Sequence, residues 1–386
     1  MTEADHVTGA RPLSAVVEAL EASPLHALSL GSHELFLSNL LAWGTEQFPL
    51  QMQQALSPWL ARGGEQTALR VRREWRHLDL VIEFPDHRPL IIENKSLSMP
   101  DEAQLRRYDE TIAAAFGKQA PALPTKVLLA PVDPGWPAGE HDTRAGSGPW
   151  RWLSFGQLAK RLRDVSWGTQ RDYDQLTMEE LADLLALLHE LLNTRAARPL
   201  LDDPLELPPD EYELLRTVRV HHLVKKARAR HVGGLVADRL IEVGMGSDVA
   251  IATGMTNGLT LVDGLPLREG ETLADARLTD RFQWQIQGGQ LRLAMVFPQS
   301  LHGRSTELIQ ARIAEAVKSI RWFDFADARA ALGERCGSEA GKWLRFNPDF
   351  VYRNVQIMNP LVSDVVTLGE LCSRRLVDFG SPPTVG

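Results

Sequence analysis

The chain has 386 residues, of which 44% are hydrophobic and 24% charged, with a formal net charge of −8 at pH 7. That length is enough for two domains and the composition is that of a soluble globular protein. The acidic total excludes a global nucleic-acid-binding surface, so any such surface must be local. Two distant cysteines, Cys336 and Cys372, exclude a disulfide framework and a cysteine-ligated iron–sulfur cluster. With no signal-peptide pattern and no apolar run long enough for a bilayer, a cytoplasmic protein without a membrane partner is expected.

Residues 1–11 are polar and read as loose. Leu13, Val16, Val17 and Leu20 give Pro12 to Ala22 a helical period. Ser32 is placed to cap a second helix reaching about Trp43, with Phe36, Leu40 and Trp43 on one stripe. Glu34 shares a face with Leu37 and Leu41; it is either a carboxylate held for chemistry or an ordinary first-turn Glu favoured by the helix dipole. Arg70, Arg72, Arg73 and Arg76 follow. Strand alternation puts Arg70, Arg72, Glu74 and Arg76 on one face, either a phosphate contact or a solvated edge strand.

Leu78 to Phe84 and Leu90 to Lys95 are β-branched and aromatic runs separated by Pro85-Asp86-His87-Arg88-Pro89, so they read as adjacent, antiparallel strands. Glu93 and Lys95 project from one face, and the hairpin brings Asp79 across to their neighbourhood. Two carboxylates about 4 Å apart repel by roughly 4 kcal/mol at an effective dielectric of ~20. A divalent ion between them removes that conflict, and all-oxygen ligands favour Mg²⁺ or Mn²⁺. Lys95 is then placed to hold an attacking water. A structural salt bridge among the three is the bland alternative.

Pro100 and Asp101 start a helix running to about Phe116, on which Gln104 and Tyr108 are four apart and face the same way. Arg106 and Arg107 point elsewhere, towards any backbone phosphate. Lys126 to Pro131 is a strand, Val132 to Pro149 a long Pro- and Gly-rich loop, Trp150 to Phe155 a short strand, and Gly156 to Arg163 a helix. Thr177 with Glu180 reads as a capping box for a helix from Met178 to Asn193. Residues 195–210, with four prolines, read as a linker.

Arg216 to Arg230 is the most basic stretch, either a helix on a phosphate backbone or a solvated face. Asn257-Gly258 signals a tight hairpin. Phe282, Trp284 and Ile286, then Gly288-Gly289, then Leu291, Leu293 and Met295, form another. A helix is expected from about Thr306 to Ile320. The aromatics Trp322, Phe323, Phe325, Trp343, Phe346, Phe350 and Tyr352 read as core.

Asp79 followed by Glu93-Asn94-Lys95 on the next strand resembles the PD-(D/E)xK nuclease superfamily, although Leu78 stands where the family's name has proline. Glu34 looks like the family's first-helix acidic residue, and Gln104 and Tyr108 resemble the QxxxY element of RecB-like members. The order of lysine strand, helix, strand KVLLAP, then WRWLSFGQLAKRL also follows the family, over roughly the first half of the chain. The resemblance implies an α/β restriction-endonuclease-like core, a mixed central sheet flanked by helices, over residues 1–198. A smaller α+β domain of unknown role follows over residues 199–386. It implies a Mg²⁺-dependent phosphodiesterase acting on nucleic acid, foremost DNA, in defence or repair. Asp79, Glu93, Lys95 and Glu34 would be catalytic. Asp79, Glu93 and the Asn94 carbonyl would hold Mg²⁺ or Mn²⁺, and Gln104, Tyr108, Arg72 and Arg107 would touch substrate. The alternatives are a catalytically silent binding or assembly module with the same fold, and a nuclease directed at RNA. A homodimer or a partner protein would be engaged through the C-terminal domain.

Overall fold

The computed structural model describes residues 11–30, 33–60, 70–84, 88–95, 102–117, 124–133, 150–167, 173–267, 281–296, single positions between 307 and 314, 321–339, 344–346 and 350–379. The chain divides into two compact units. One comprises residues 1–194 and 213–223, the other 195–212 and 224–386.

The first unit begins with α1 (Leu13–Ala22), α2 (Pro24–Ser29), α3 (His33–Gln47) and α4 (Pro49–Leu56). Strands β1 (Arg70–Trp75), β2 (Leu78–Glu83) and β3 (Leu90–Asn94) follow, then α5 (Glu102–Phe116), β4 (Thr125–Leu129), β5 (Arg151–Leu153), α6 (Phe155–Arg163) and α7 (Tyr173–Leu191). The five strands form one sheet in the order β1-β2-β3-β4-β5. β1 to β3 are antiparallel neighbours and β3 to β5 parallel ones, with α5 in the crossover between β3 and β4. The expected mixed sheet flanked by helices is therefore present. β3 is buried along its whole length, which explains its unbroken apolar run. On one face Val81, Ile91 and Leu128 pack against Leu105 and Ile112 of α5. α3 packs against β1, β2 and β3, and Ser38 of α3 accepts from the Asn94 amide at 3.4 Å.

Several local expectations are corrected. Thr177 does not cap a helix: α7 starts at Tyr173, and the Thr177 hydroxyl donates to the Tyr173 carbonyl at 2.9 Å inside it. The capping box lies instead at α6, where Ser154 and Gln157 exchange hydrogen bonds at 3.0 Å. Arg76 is not on the strand face with Arg70 and Arg72. Trp75 pairs with Leu78, so Arg76 and His77 are the two residues of a tight turn. The expected helix start at Pro100 and most of the 132–149 loop lie outside the described residues.

In the second half, α8 (Pro209–Thr217) and α9 (His221–Glu242) precede β6 (Val249–Thr256), β7 (Leu259–Pro266), β8 (Arg281–Gln287) and β9 (Gln290–Val296). Then come α10 (Ala326–Leu332), β10 (Cys336–Glu339), β11 (Leu344–Phe346), β12 (Phe350–Ile357) and α11 (Val362–Phe379). The strands form a second, antiparallel sheet in the order β10-β12-β9-β8-β7-β6, with β11 also on β12. Asn257 and Gly258 turn the β6–β7 hairpin with φ of 52° and 74°. The alternating Phe282, Trp284, Ile286, Leu291 and Leu293 are buried with Val236 of α9 and Leu368 of α11. Trp322, Phe323 and Phe325 are core as expected, whereas Phe350 and Tyr352 are half-buried. Trp343 and the Phe346 side chain lie outside the described residues, as do most side chains of the expected 306–320 helix.

Much of the basic stretch is used internally. Arg228 is 2% exposed. It donates to the carbonyls of Ala196 at 2.7 Å, Leu205 at 2.9 Å and Pro204. Lys225 lies 3.7 Å from Glu206, and Arg216 pairs with Glu213 at 3.0 Å. Residues 195–210, expected as a linker, are thus tied down through Arg228. Among the described residues, no helix is long and apolar enough to cross a membrane.

Candidate active site

β2 and β3 position the central charges. Leu80 pairs with Ile92, so the next step of the ladder sets Asp79 level with Glu93. The Asp79 carboxylate accepts the Asn94 backbone N–H at 2.7 Å, which ties it to the strand that carries Glu93. Lys95 Nζ lies 2.8 Å from Glu93 Oε1, and the two side chains are only 7% and 2% exposed. The Lys95 backbone N–H donates to the Leu129 carbonyl at 2.8 Å, which extends the β3–β4 ladder to the end of the motif.

α5 brings the next pair. Gln104 Nε2 donates to Tyr108 Oη at 2.6 Å. Burial raises the Tyr108 phenol above its ordinary pKa. The charges of Glu93 and Asp79 add to this, while Gln104 and Lys95 oppose it. Tyr108 therefore stays protonated at neutral pH with its oxygen already accepting from Gln104, which leaves its O–H able to donate. The structure thus brings Asp79, Glu93, Asn94, Lys95, Gln104 and Tyr108 into one neighbourhood.

Other sequence candidates sit elsewhere. Arg72 lies 2.8 Å from Glu83 and 4.9 Å from the Trp75 ring centre, engaged by both. Arg107 is exposed on α5. Glu34 lies on α3 one turn before Ser38, the residue beside Asn94; the Glu34 side chain is outside the described residues.

A second charged group went unnoticed in the sequence. Lys126 on β4 is 2% exposed and in register with Ile91, two residues before Glu93. Its ammonium lies 2.6 Å from Asp109 and 5.5 Å from the Trp150 ring centre. Trp150 Nε1 donates to the same Asp109 oxygen at 3.0 Å. Burial lowers the Lys126 pKa, and Asp109 works against that. The available signal was a lysine opening the apolar run VLLA, with an aspartate directly after the tyrosine of the QxxxY pair.

The donor set fits a hard divalent cation. Two carboxylates and a main-chain carbonyl are all oxygen, as Mg²⁺ and Mn²⁺ prefer. Among the described residues no group of three or more His, Cys, Asp or Glu side chains is placed to hold a metal. A site built on Asp79 and Glu93 would leave much of the coordination to water and phosphate, the usual arrangement for Mg²⁺.

Residues 25–134, which include Asp79, Glu93, Asn94, Lys95, Gln104 and Tyr108, match the family model described as the PD-(D/E)XK nuclease superfamily. No curated protein and no solved structure matches the chain.

Proposed function

We propose that the chain, whose residues 25–134 match the PD-(D/E)XK nuclease superfamily model, is a metal-dependent nuclease whose foremost substrate is DNA. The carrying observation is the Glu93–Lys95 pair, buried beside Asp79 at the end of the apolar runs of β2 and β3. A buried ion pair is seldom the most stable choice: apolar side chains of similar volume are often neutral or better by roughly 1–4 kcal/mol. Charges kept in such a place point to chemistry.

Asp79, Glu93 and the Asn94 carbonyl would hold Mg²⁺ or Mn²⁺, which supplies charge stabilisation at the phosphate and the leaving oxygen. Lys95 orients the attacking water and offsets charge on the phosphate. Tyr108, kept protonated and braced by Gln104, donates to a phosphate oxygen. Exposed Arg107 is available to the flanking backbone. Defence against foreign DNA, or repair, is the setting the family suggests.

The closed 2.8 Å Glu93–Lys95 pair also favours a second reading, a silent module in which the pair is structural. Metal titration by calorimetry, on the wild type and on Asp79→Asn, separates the two. Binding that is lost in the variant supports the nuclease, and no binding in the wild type supports the module. Matched DNA and RNA strands decide the substrate.

A further inference from the structure

The turn between β1 and β2 departs from what its backbone asks for. Arg76 and His77 are its two central residues, with φ of 55° and 71°. A two-residue hairpin with positive φ at both positions strongly favours Asn-Gly, as at Asn257-Gly258 in this same chain. Here two bulky basic residues hold left-handed conformations, and Glu74 on the same hairpin does so too, with φ of 49°. Strain that a simpler sequence would relieve is a pointer to function.

The surroundings say what kind. Trp75 carries the guanidinium groups of both Arg72 and Arg76 at 4.9 Å from its ring centre, and it packs on Phe116 of α5 at 5.5 Å. Arg76 is thus braced while still exposed, and His77 is exposed beside it. β1 is the edge strand of the sheet, with Arg70 and Arg73 also exposed; Glu74 is the one opposing charge among its exposed residues. His77 is two residues from Asp79, so at about 3.3 Å per residue the tip stands roughly 7 Å from that carboxylate's backbone. Phosphates on one strand advance about 3.4 Å each along a duplex axis, which makes that reach one or two phosphates.

We propose that the β1–β2 hairpin is a duplex-binding element, whose Arg76-His77 tip contacts the phosphate backbone one or two phosphates from the bond cut at Asp79, Glu93 and Lys95. This rests on the nuclease reading and adds to it the surface that seats the duplex. A two-stranded ribbon of this kind also has the dimensions to follow a major groove.

The test replaces the tip by Arg76→Asn with His77→Gly in the full chain. Three quantities are measured: melting temperature, affinity for labelled duplex and single-stranded DNA in chelator over a salt series, and metal-dependent hydrolysis of bis(p-nitrophenyl) phosphate. The expected result is a higher melting temperature, because the turn is relieved. Duplex affinity is expected to weaken roughly tenfold per lost phosphate contact at about 0.1 M salt, with the log–log salt slope shallower by about one per contact. Hydrolysis of the small diester should be unchanged. Lys160→Asn, an exposed cation on α6, removes the same single charge at pH 7 and is the charge-matched control; it should bind as the wild type. Unchanged affinity and slope in the tip variant, an equal loss in the control, or a loss seen only with single strands would each overturn the proposal. If the wild type hydrolyses the small diester but the tip does not matter, only the hairpin assignment falls. If the wild type hydrolyses nothing and binds no duplex, the nuclease reading falls with it.

Discussion

Lys95 and Glu93 neutralise each other at 2.8 Å inside the sheet, which makes their single and double replacement behave oppositely. Lys95→Met alone leaves a buried carboxylate and should destabilise by about 3–5 kcal/mol. Glu93→Met with Lys95→Met should be as stable as the wild type or more so, and inactive. Denaturant melts check this; a double variant as weak as the single would mean the pair contributes net stability and the structural reading is right. Asp109→Asn removes the counter-charge of buried Lys126 and should cost about 3 kcal/mol, read in the same melts. At this scale the sequence was legible where alternation along a strand fixes direction: Asp79, Glu93 and Lys95 could be set together because period two leaves no choice. Lys126 and Asp109 could not be paired in that way, because their contact depends on how a helix lies across a sheet.

Elements were legible where local chemistry dominates. Asn257-Gly258 turns as its residues require, and the Val- and Ile-rich runs of β2 and β3 pair as their pattern asks. They misled where tertiary context overrides propensity. Thr177 is an acceptable cap that the longer α7 overruns, and Arg76-His77 is a turn that no propensity would choose. Close packing in the second unit gives a sharper test. A Cβ on Gly264 would stand 2.1 Å from the Trp284 indole, whose Nε1 donates to Ser373 at 3.0 Å. Gly264→Ala should therefore destabilise by about 1–3 kcal/mol through overpacking. Tryptophan fluorescence during urea unfolding reads it, and no shift of the midpoint would show that the indole has room to move.

Across the whole molecule, protonation links stability to pH. Burial lowers the pKa of His26 in the first unit and of His231 in the second below the ordinary 6.5. The unfolded chain therefore takes up protons first as pH falls below about 6.5, and each site loses stability from there down through its folded pKa. The melting temperature should drop between about pH 7.5 and 5, and the drop should shrink in His26→Gln; an unchanged drop would remove His26 as a contributor. Both cysteines are buried, and burial pushes the Cys372 thiol up to about 12. The two compact units interleave along the sequence, with residues 195–212 in the second and residues 213–223 in the first.

The most direct measurement is cleavage of linear, circular and single-stranded DNA and of RNA, with Mg²⁺, with Mn²⁺ and with chelator, beside Asp79→Asn of equal melting temperature. The expected result is metal-dependent cutting of DNA by the wild type that the chelator and the variant both abolish. Cutting that survives Asp79→Asn would contradict the site, and a folded wild type that binds metal yet cuts no nucleic acid would contradict the nuclease.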